Sequence, residues 1–359
     1  MPNYKHIKQI ADDTVRNRVV NKLLQLRQKI RTEIPPKTTR ETLLLATWNI
    51  REFKDNRLPE SYYYISEIID AFDFVAIQEV SSDLAGLEKL MTHLGRDWDY
   101  IVTDATQGSA GGGERMAFVY DRRKITFLHI AGEIVLPESK EPEQLLQFAR
   151  TPFLAAFQAG WFRFMICTVH IFYGDERPES EGMQRRIDEI DLAAKWLKRK
   201  AKNENANYIL LGDFNIVDTT HVTMQTLEKN GFYIPSSLKT KPTDLGQTKH
   251  YDQISFQVRD KDMLIFDKRK EAERSGAFCF QEAVFCNDEM PIYRSYFEPK
   301  VMEGKTESQI NQYYLSKWRT FQMSDHLPMW VELKIDFSDQ YLMQLPDEDP
   351  HERGLKIKR

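Results

Sequence analysis

From Thr42 onward, short runs that are apolar throughout alternate with longer stretches in which apolar residues recur at helical spacing. The apolar runs are Leu43–Ala46, Phe74–Ile77, Met116–Val119, Phe164–Val169 and Tyr208–Leu211. A run with no polar alternation reads as a strand covered on both faces, as in the middle of a layered sheet. Between the runs, Tyr62–Phe72, Leu84–Leu94 and Ser180–Ala201 carry helical periodicity; in the last, Ile187, Ile190, Ala194, Leu197 and Ala201 fall on one face. Met329–Ile335 reads as a closing strand. Strands alternating with helices predict a layered α/β domain.

Before that domain, Lys5–Thr32 reads as one amphipathic helix built on Ile7, Ile10, Val15, Val19, Leu23, Leu26 and Ile30, stopped by Pro35-Pro36. It is expected to pack on the domain, with an oligomer or partner contact as the alternative. The expected organisation is an N-terminal helix and linker over 1–40, a main domain over 41–336 with a long insertion at about 259–322, and a polar, loosely ordered tail over 337–359. Three cysteines, Cys167, Cys279 and Cys286, are poor material for a disulfide framework and point to a reducing compartment. No apolar leader follows Met1 and no run reaches the ~18 apolar residues of a membrane span, so a cytoplasmic protein without membrane insertion is expected. The net charge of -4 supplies no global field for polyanions, although a metal-loaded cleft on an acidic protein is locally positive.

Chemistry concentrates where the apolar runs end, which is where open α/β sheets place their sites. Asn49 follows the first run, Glu79 the second, His170 closes Cys167-Thr168-Val169, Asp213 and Asn215 lie in Gly212-Asp213-Phe214-Asn215, and Ser324-Asp325-His326 precedes the closing strand. Singly, each has a structural explanation as a cap, a turn or a solvated strand end. Together they supply hard oxygen ligands and two histidines with no cysteine among them. Such a set suits Mg²⁺, with Mn²⁺ as substitute, rather than zinc. Histidines beside such an ion suit proton transfer or stabilisation of phosphate charge.

Taken in order, Trp48-Asn49-Ile50, Gln78-Glu79, Thr168-Val169-His170, Gly212-Asp213-Phe214-Asn215, Tyr251-Asp252-Gln253-Ile254 and Ser324-Asp325-His326-Leu327-Pro328 resemble the endonuclease/exonuclease/phosphatase superfamily, over about Thr42 to Ile335. The resemblance implies a four-layered α/β sandwich, with two packed mixed sheets flanked by helices, and metal-assisted phosphodiester hydrolysis. Glu114-Arg115 before a buried run and Arg150-Thr151-Pro152 are most similar to the deoxyribonuclease I branch. It implies Glu79 as metal carboxylate with Asn49 and Asp325 in support. Glu114 would orient His170, Asp252 would orient His326, Asp213 and Asn215 would align water and phosphate, and Arg150 would contact phosphate together with Asn215 and His170.

The chain also departs from that branch. Ser81 stands where the branch has an arginine reaching the minor groove, and Gly111-Gly112-Gly113 replace a tyrosine. These departures predict a preference for single-stranded, damaged or structured nucleic acid over intact duplex. The insertion interleaves Lys268, Arg269, Lys270, Arg274, Arg294 and Lys317 with Phe278, Tyr293 and Trp318. That is either a nucleic-acid surface or a solvated insertion over its own small core. Nuclease is the expected activity. Action on a small or lipid phosphodiester, as a phosphatase or phospholipase, is the alternative, and a binding module without catalysis the third.

Overall fold

The computed structural model describes residues 2–107, 111–136, 147–204, 206–258, 263–264, 266–267 and 272–345. Expectations resting on Lys268, Arg269 and Lys270, and on the end of the tail, lie outside these residues. β1 (Thr42–Phe53) pairs in parallel with β2 (Phe74–Val80), and the first sheet also holds β3 (Trp98–Val102) and β4 (Arg115–Asp121). The second sheet holds β5 (Ile125–Glu133), β6 (Phe153–Ala159), β7 (Phe162–His170), β8 (Asn207–Asp213) and β9 (Asp252–Gln257) in sequential order. β10 (Phe266–Asp267) and β11 (Ala272–Glu273) form a separate two-stranded ribbon. β12 (Ser275–Ala277) and β13 (Met329–Lys334) complete the first sheet, whose order is β12-β13-β1-β2-β4-β3.

Strand alternation sorts the core into layers. On β1, Leu44, Ala46, Trp48 and Ile50 face a helical layer with α1 (Asp13–Glu33), α2 (Pro59–Asp70) and α3 (Ala85–Leu94), while Leu43 and Leu45 face the second sheet. Between the sheets they meet Phe74, Ala76 and Phe118 from the first sheet and Phe157, Phe164, Ile166, Ile209, Leu211, Ile254 and Phe256 from the second. The far face of the second sheet, with Cys167, Val169, Tyr208 and Leu210, packs on α4 (Glu181–Glu204) and α5 (Val222–Lys229). The result is two mixed sheets between helical layers, the four-layered sandwich that the resemblance implied.

Several sequence expectations change in detail. The N-terminal helix is two pieces, a 3₁₀ turn at Lys5–Gln9 and then α1, because the Asp12 carboxylate accepts from Thr14 N at 2.7 Å and Val15 N at 3.2 Å and starts a new helix there. α1 buries Val19, Leu23 and Leu26 against the domain, and Arg18 donates to both Glu60 oxygens on α2 at 2.9 Å. The tail does not begin as loose chain, since Ser338–Gln344 is helical and the Tyr341 ring packs, tilted, against Trp161 at 5.4 Å. Asn49, expected beyond its strand, lies inside β1, which runs on to Phe53. Between β12 and β13 the insertion is a set of short helices around Phe285, Tyr293, Tyr314 and Trp318, all buried in the α1–α2 layer. All three cysteines are free thiols. Among the described residues, no helix is long and apolar enough to cross a membrane.

Candidate active site

At one end of the sandwich the inter-sheet positions stop being apolar. The face that carries Leu43 and Leu45 on β1 continues with Thr47 and Asn49, and that of Phe74 and Ala76 on β2 continues with Gln78. On the other sheet, Phe164 and Ile166 give way to Thr168 and His170, Ile209 and Leu211 to Asp213, and Ile254 is preceded by Asp252. The register places His170 beside Asp213 and Asp213 beside Asp252 on three adjacent strands. Period-2 alternation therefore builds a polar pocket floor between two sheets. Gln78 Nε2 fastens the sheets together there, donating to Thr168 Oγ1 at 2.8 Å and to Thr47 Oγ1 at 3.1 Å.

Asp213, nearly fully buried, is the centre of the arrangement. Its Oδ2 accepts from Asn49 Nδ2 at 3.0 Å and lies 3.6 Å from His170 Nε2 and 3.8 Å from His326 Nε2. Each histidine is backed by a further carboxylate: His170 Nδ1 is 3.0 Å from Glu114 Oε2, and His326 Nδ1 is 2.7 Å from Asp252 Oδ2. Burial alone would lower the His326 pKa, but the carboxylates of Asp252 and Asp213 outweigh it and hold His326 well above the ordinary histidine range. For Glu114, burial would raise the pKa, yet His170 and Arg150 hold it down to about 2. Arg150 grips Glu114 with a fork, Nε to Oε2 at 2.7 Å and Nη2 to Oε1 at 3.1 Å. The arginine expected on phosphate is thus placed on the carboxylate behind His170.

Two of the site residues have an irregular backbone. Glu79 has φ 61° and Asn215 φ 53°, left-handed values that non-glycine residues adopt at a cost of roughly 1–3 kcal/mol. Both strands flanking Glu79 shift register around it, between Asn49 and Phe53 on one side and between Ile77 and Val80 on the other. The bulge brings the Glu79 carboxylate to Asn49, whose Nδ2 donates to Oε1 at 2.9 Å, and Glu52 N donates to Oε2 at 2.8 Å. Gly212 precedes Asp213 at φ 129°, and a Cβ there would stand 2.2 Å from Val169 O, so only glycine lets β7 and β8 close up beside the pocket.

Asp213, Asp252 and His326 offer ligand atoms within 4.8 Å of one another. His326 keeps Nδ1 on Asp252, which makes that pair a carboxylate–histidine couple more than two separate ligands. The oxygen donors Glu79, Asn49 and Asp213 fit a hard divalent cation better, and Asn49 Oδ1 is buried without any hydrogen-bond partner, the kind of acceptor that an ion satisfies. Asp325 stands apart: its carboxylate is 42% exposed and pairs with Arg51 at 3.2 Å. Asn215 gives its side-chain Nδ2 to Ile171 O at 2.8 Å and its N to Asp213 Oδ1 at 2.8 Å, so it sets the turn that presents Asp213.

The family model for the Endonuclease/Exonuclease/phosphatase family matches residues 46–252, more than half of the chain. The chain belongs to this family. Members of the Endonuclease/Exonuclease/phosphatase family hydrolyse phosphoesters and use divalent metals. Solved structures agree on the fold. An endonuclease/exonuclease/phosphatase from Bacteroides vulgatus superposes with TM-score 0.51 at 17% identity, covering 84% of this chain and 100% of its own. A family protein from Bacteroides thetaiotaomicron gives TM-score 0.50 at 20% identity, covering 82% of this chain and 98% of its own. No curated protein matches the sequence.

Other residues that shape the site carry no role in the sequence reading. Ser324 Oγ donates to Asn49 O at 2.6 Å and accepts from His326 N at 3.0 Å, and Trp48 Nε1 donates to His326 O at 2.9 Å. The Tyr251 ring lies 5.4 Å from the His326 ring. Arg186 on α4 is fully buried and donates to Asn215 O at 2.9 Å and to the Tyr173 and Asp175 carbonyls. A charged residue in step with Met183, Ile190, Ala193 and Leu197 on the buried face of α4 is a signal that the sequence holds.

Proposed function

We propose that the protein is a divalent-cation-dependent phosphodiesterase that cleaves nucleic acid, with Mg²⁺ as the ion. The observation that carries this reading is the Asp213 carboxylate set between two histidine rings, at 3.6 and 3.8 Å, each ring backed by its own carboxylate. Glu79, Asn49 and Asp213 would hold the cation, which when bound neutralises phosphate charge and stabilises a leaving alkoxide.

The protein's own groups then divide the work. Asp213, adjacent to both imidazoles, aligns the attacking water and takes its proton. His326, kept cationic by Asp252 and Asp213, faces charge developing on the phosphate oxygens. Glu114 holds the His170 ring with Nε2 toward Asp213, and Arg150 holds Glu114. Nucleic acid is favoured among phosphodiesters by the aromatic and cationic side chains on segments that flank the pocket. Tyr173 is 43% exposed three residues after His170, Arg185 stacks over Phe172 at 4.6 Å, and Arg51 over Phe321 at 4.1 Å. Bases stack on such surfaces without needing a particular sequence.

The test is a substrate panel with Mg²⁺: single-stranded DNA, RNA, supercoiled plasmid, an abasic duplex, phosphoinositides and sphingomyelin, each with the D213N variant as control. Turnover of nucleic acid that D213N abolishes supports the reading. Turnover confined to an inositol or lipid phosphate would overturn the nucleic-acid assignment, and turnover that survives D213N would overturn the mechanism.

A further inference from the structure

α4 reaches the catalytic pocket through a second buried charge, Glu189, whose side chain is 0% exposed. Its Oε1 accepts from Ala149 N at 2.8 Å and its Oε2 from Phe172 N at 3.0 Å, while Arg185 Nε donates to Oε1 at 3.1 Å. The two amides belong to segments far apart in sequence. Ala149 immediately precedes Arg150, whose guanidinium forks onto Glu114. Phe172 follows His170 by two residues, just beyond the end of β7. Both segments lead to the same contact, the 3.0 Å approach of Glu114 to His170. One carboxylate thus spans from the residue that steers the orienting acid to the strand end that carries the histidine.

A buried carboxylate is costly unless each oxygen is satisfied, and a core position on an amphipathic helix would be filled at lower cost by leucine or methionine. An apolar residue would continue the face that Met183, Ile190, Ala194 and Leu197 make on α4, whereas the Glu189 carboxylate accepts from the amides of both segments. We propose that Glu189 is a positioning residue of the hydrolytic site: it fixes the distance between Arg150 and His170 and thereby the orientation of the His170 ring through Glu114. It touches neither substrate nor cation. The proposal rests on the phosphodiesterase reading of the pocket.

The test uses the full chain, Mg²⁺ and bis(p-nitrophenyl) phosphate, at a temperature well below every variant's melting point. E189Q keeps the size of the side chain but turns one acceptor into a donor against a backbone N–H. It is expected to lower kcat roughly tenfold or more while leaving KM within about twofold, as small misplacements of catalytic groups do. I190A, a cavity on the same helix outside the site, should melt lower yet keep its kcat. In an E114Q background, E189Q should lower kcat by less than about a further twofold, because both arms act through Glu114 and His170. If E189Q does not fold, E189D, which keeps the charge on a side chain one methylene shorter, takes its place with the same expected split. Wild-type kcat in the Glu189 variant, or an undiminished extra loss in the E114Q background, overturns the proposal. Should the wild type cleave no phosphodiester at all, the hydrolase reading has failed, and hydrogen exchange at the Ala149 and Phe172 amides decides the role of Glu189 separately. Faster exchange at both amides in E189Q than in I190A sustains the tether, and unchanged exchange removes it.

Discussion

Replacing Glu114 by glutamine keeps the shape of the side chain and removes the charge that Arg150 and His170 share. Glu114 is depressed from an ordinary 4.5 to about 2, despite a burial effect that acts the other way. At about 1.4 kcal/mol for each tenfold change in ionisation, that fall corresponds to about 3 kcal/mol of folding stability, an upper figure because the side chain is 23% exposed. A depressed carboxylate contributes its stability above its unfolded pKa and loses it as pH falls toward the folded value. The gap in unfolding free energy between wild type and E114Q should therefore be largest at neutral pH and close between about pH 4.5 and pH 2. Urea unfolding of both proteins at pH 7, 5, 4 and 3 measures the gap directly. The variant's kcat should also drop roughly 10- to 10²-fold at pH 7, since His170 loses the group that orients its ring. A gap that stays constant across that range would refute the claim that the Arg150–Glu114 contact behind His170 is ionic.

Chelation with EDTA should abolish turnover and Mg²⁺ or Mn²⁺ should restore it, while E79Q should lose most activity and still melt as a folded protein; full turnover in chelator would exclude the cation site. H170A and H326A should each lower kcat by roughly 10²-fold or more with little change in KM, measured by steady-state kinetics on the substrate that the panel selects. For His326, whose pKa is raised by two carboxylates, D252N should move the alkaline limb of the pH–kcat profile to lower pH, because the imidazolium loses a stabilising charge. G212A should destabilise by several kcal/mol in chemical denaturation, since its Cβ meets Val169 O at 2.2 Å, and near-normal stability would mean that β7 and β8 have room to part.

The layered α/β plan is legible in the sequence because the central strands are buried on both faces and show as unbroken apolar runs. β5 is harder to see: its central stretch and end are largely exposed, so Thr126 to Glu133 lacks the apolar continuity of its neighbours. The position of Asn49 is misjudged for a related reason. Polar residues inside a strand look like a strand end, but Thr47 and Asn49 continue the inter-sheet face of Leu43 and Leu45. The motif residues Asn49, Glu79, His170, Asp213, Asp252 and His326 do come together, and the Glu114 carboxylate lies 3.0 Å from His170 Nδ1. What the sequence does not disclose is partner choice. Arg150 stands on Glu114 and Asp325 on Arg51, outcomes decided by loop paths that no spacing encodes. The bulge at Glu79 is equally hidden, because nothing in Ile77-Gln78-Glu79-Val80 marks a left-handed residue.

The change from apolar to polar along the inter-sheet faces has a consequence for how this protein fails. His170, Asp213 and Asp252 stand side by side only in the native pairing, and a one-residue slip of β8 would turn Asp213 toward α4 and present Gly212 to the pocket. Catalytic turnover is therefore a proofreading signal for the second sheet. Refolded material with native circular dichroism but a misaligned β8 would be silent in an activity assay, and specific activity per folded molecule would count the fraction of chains whose strands found their proper neighbours.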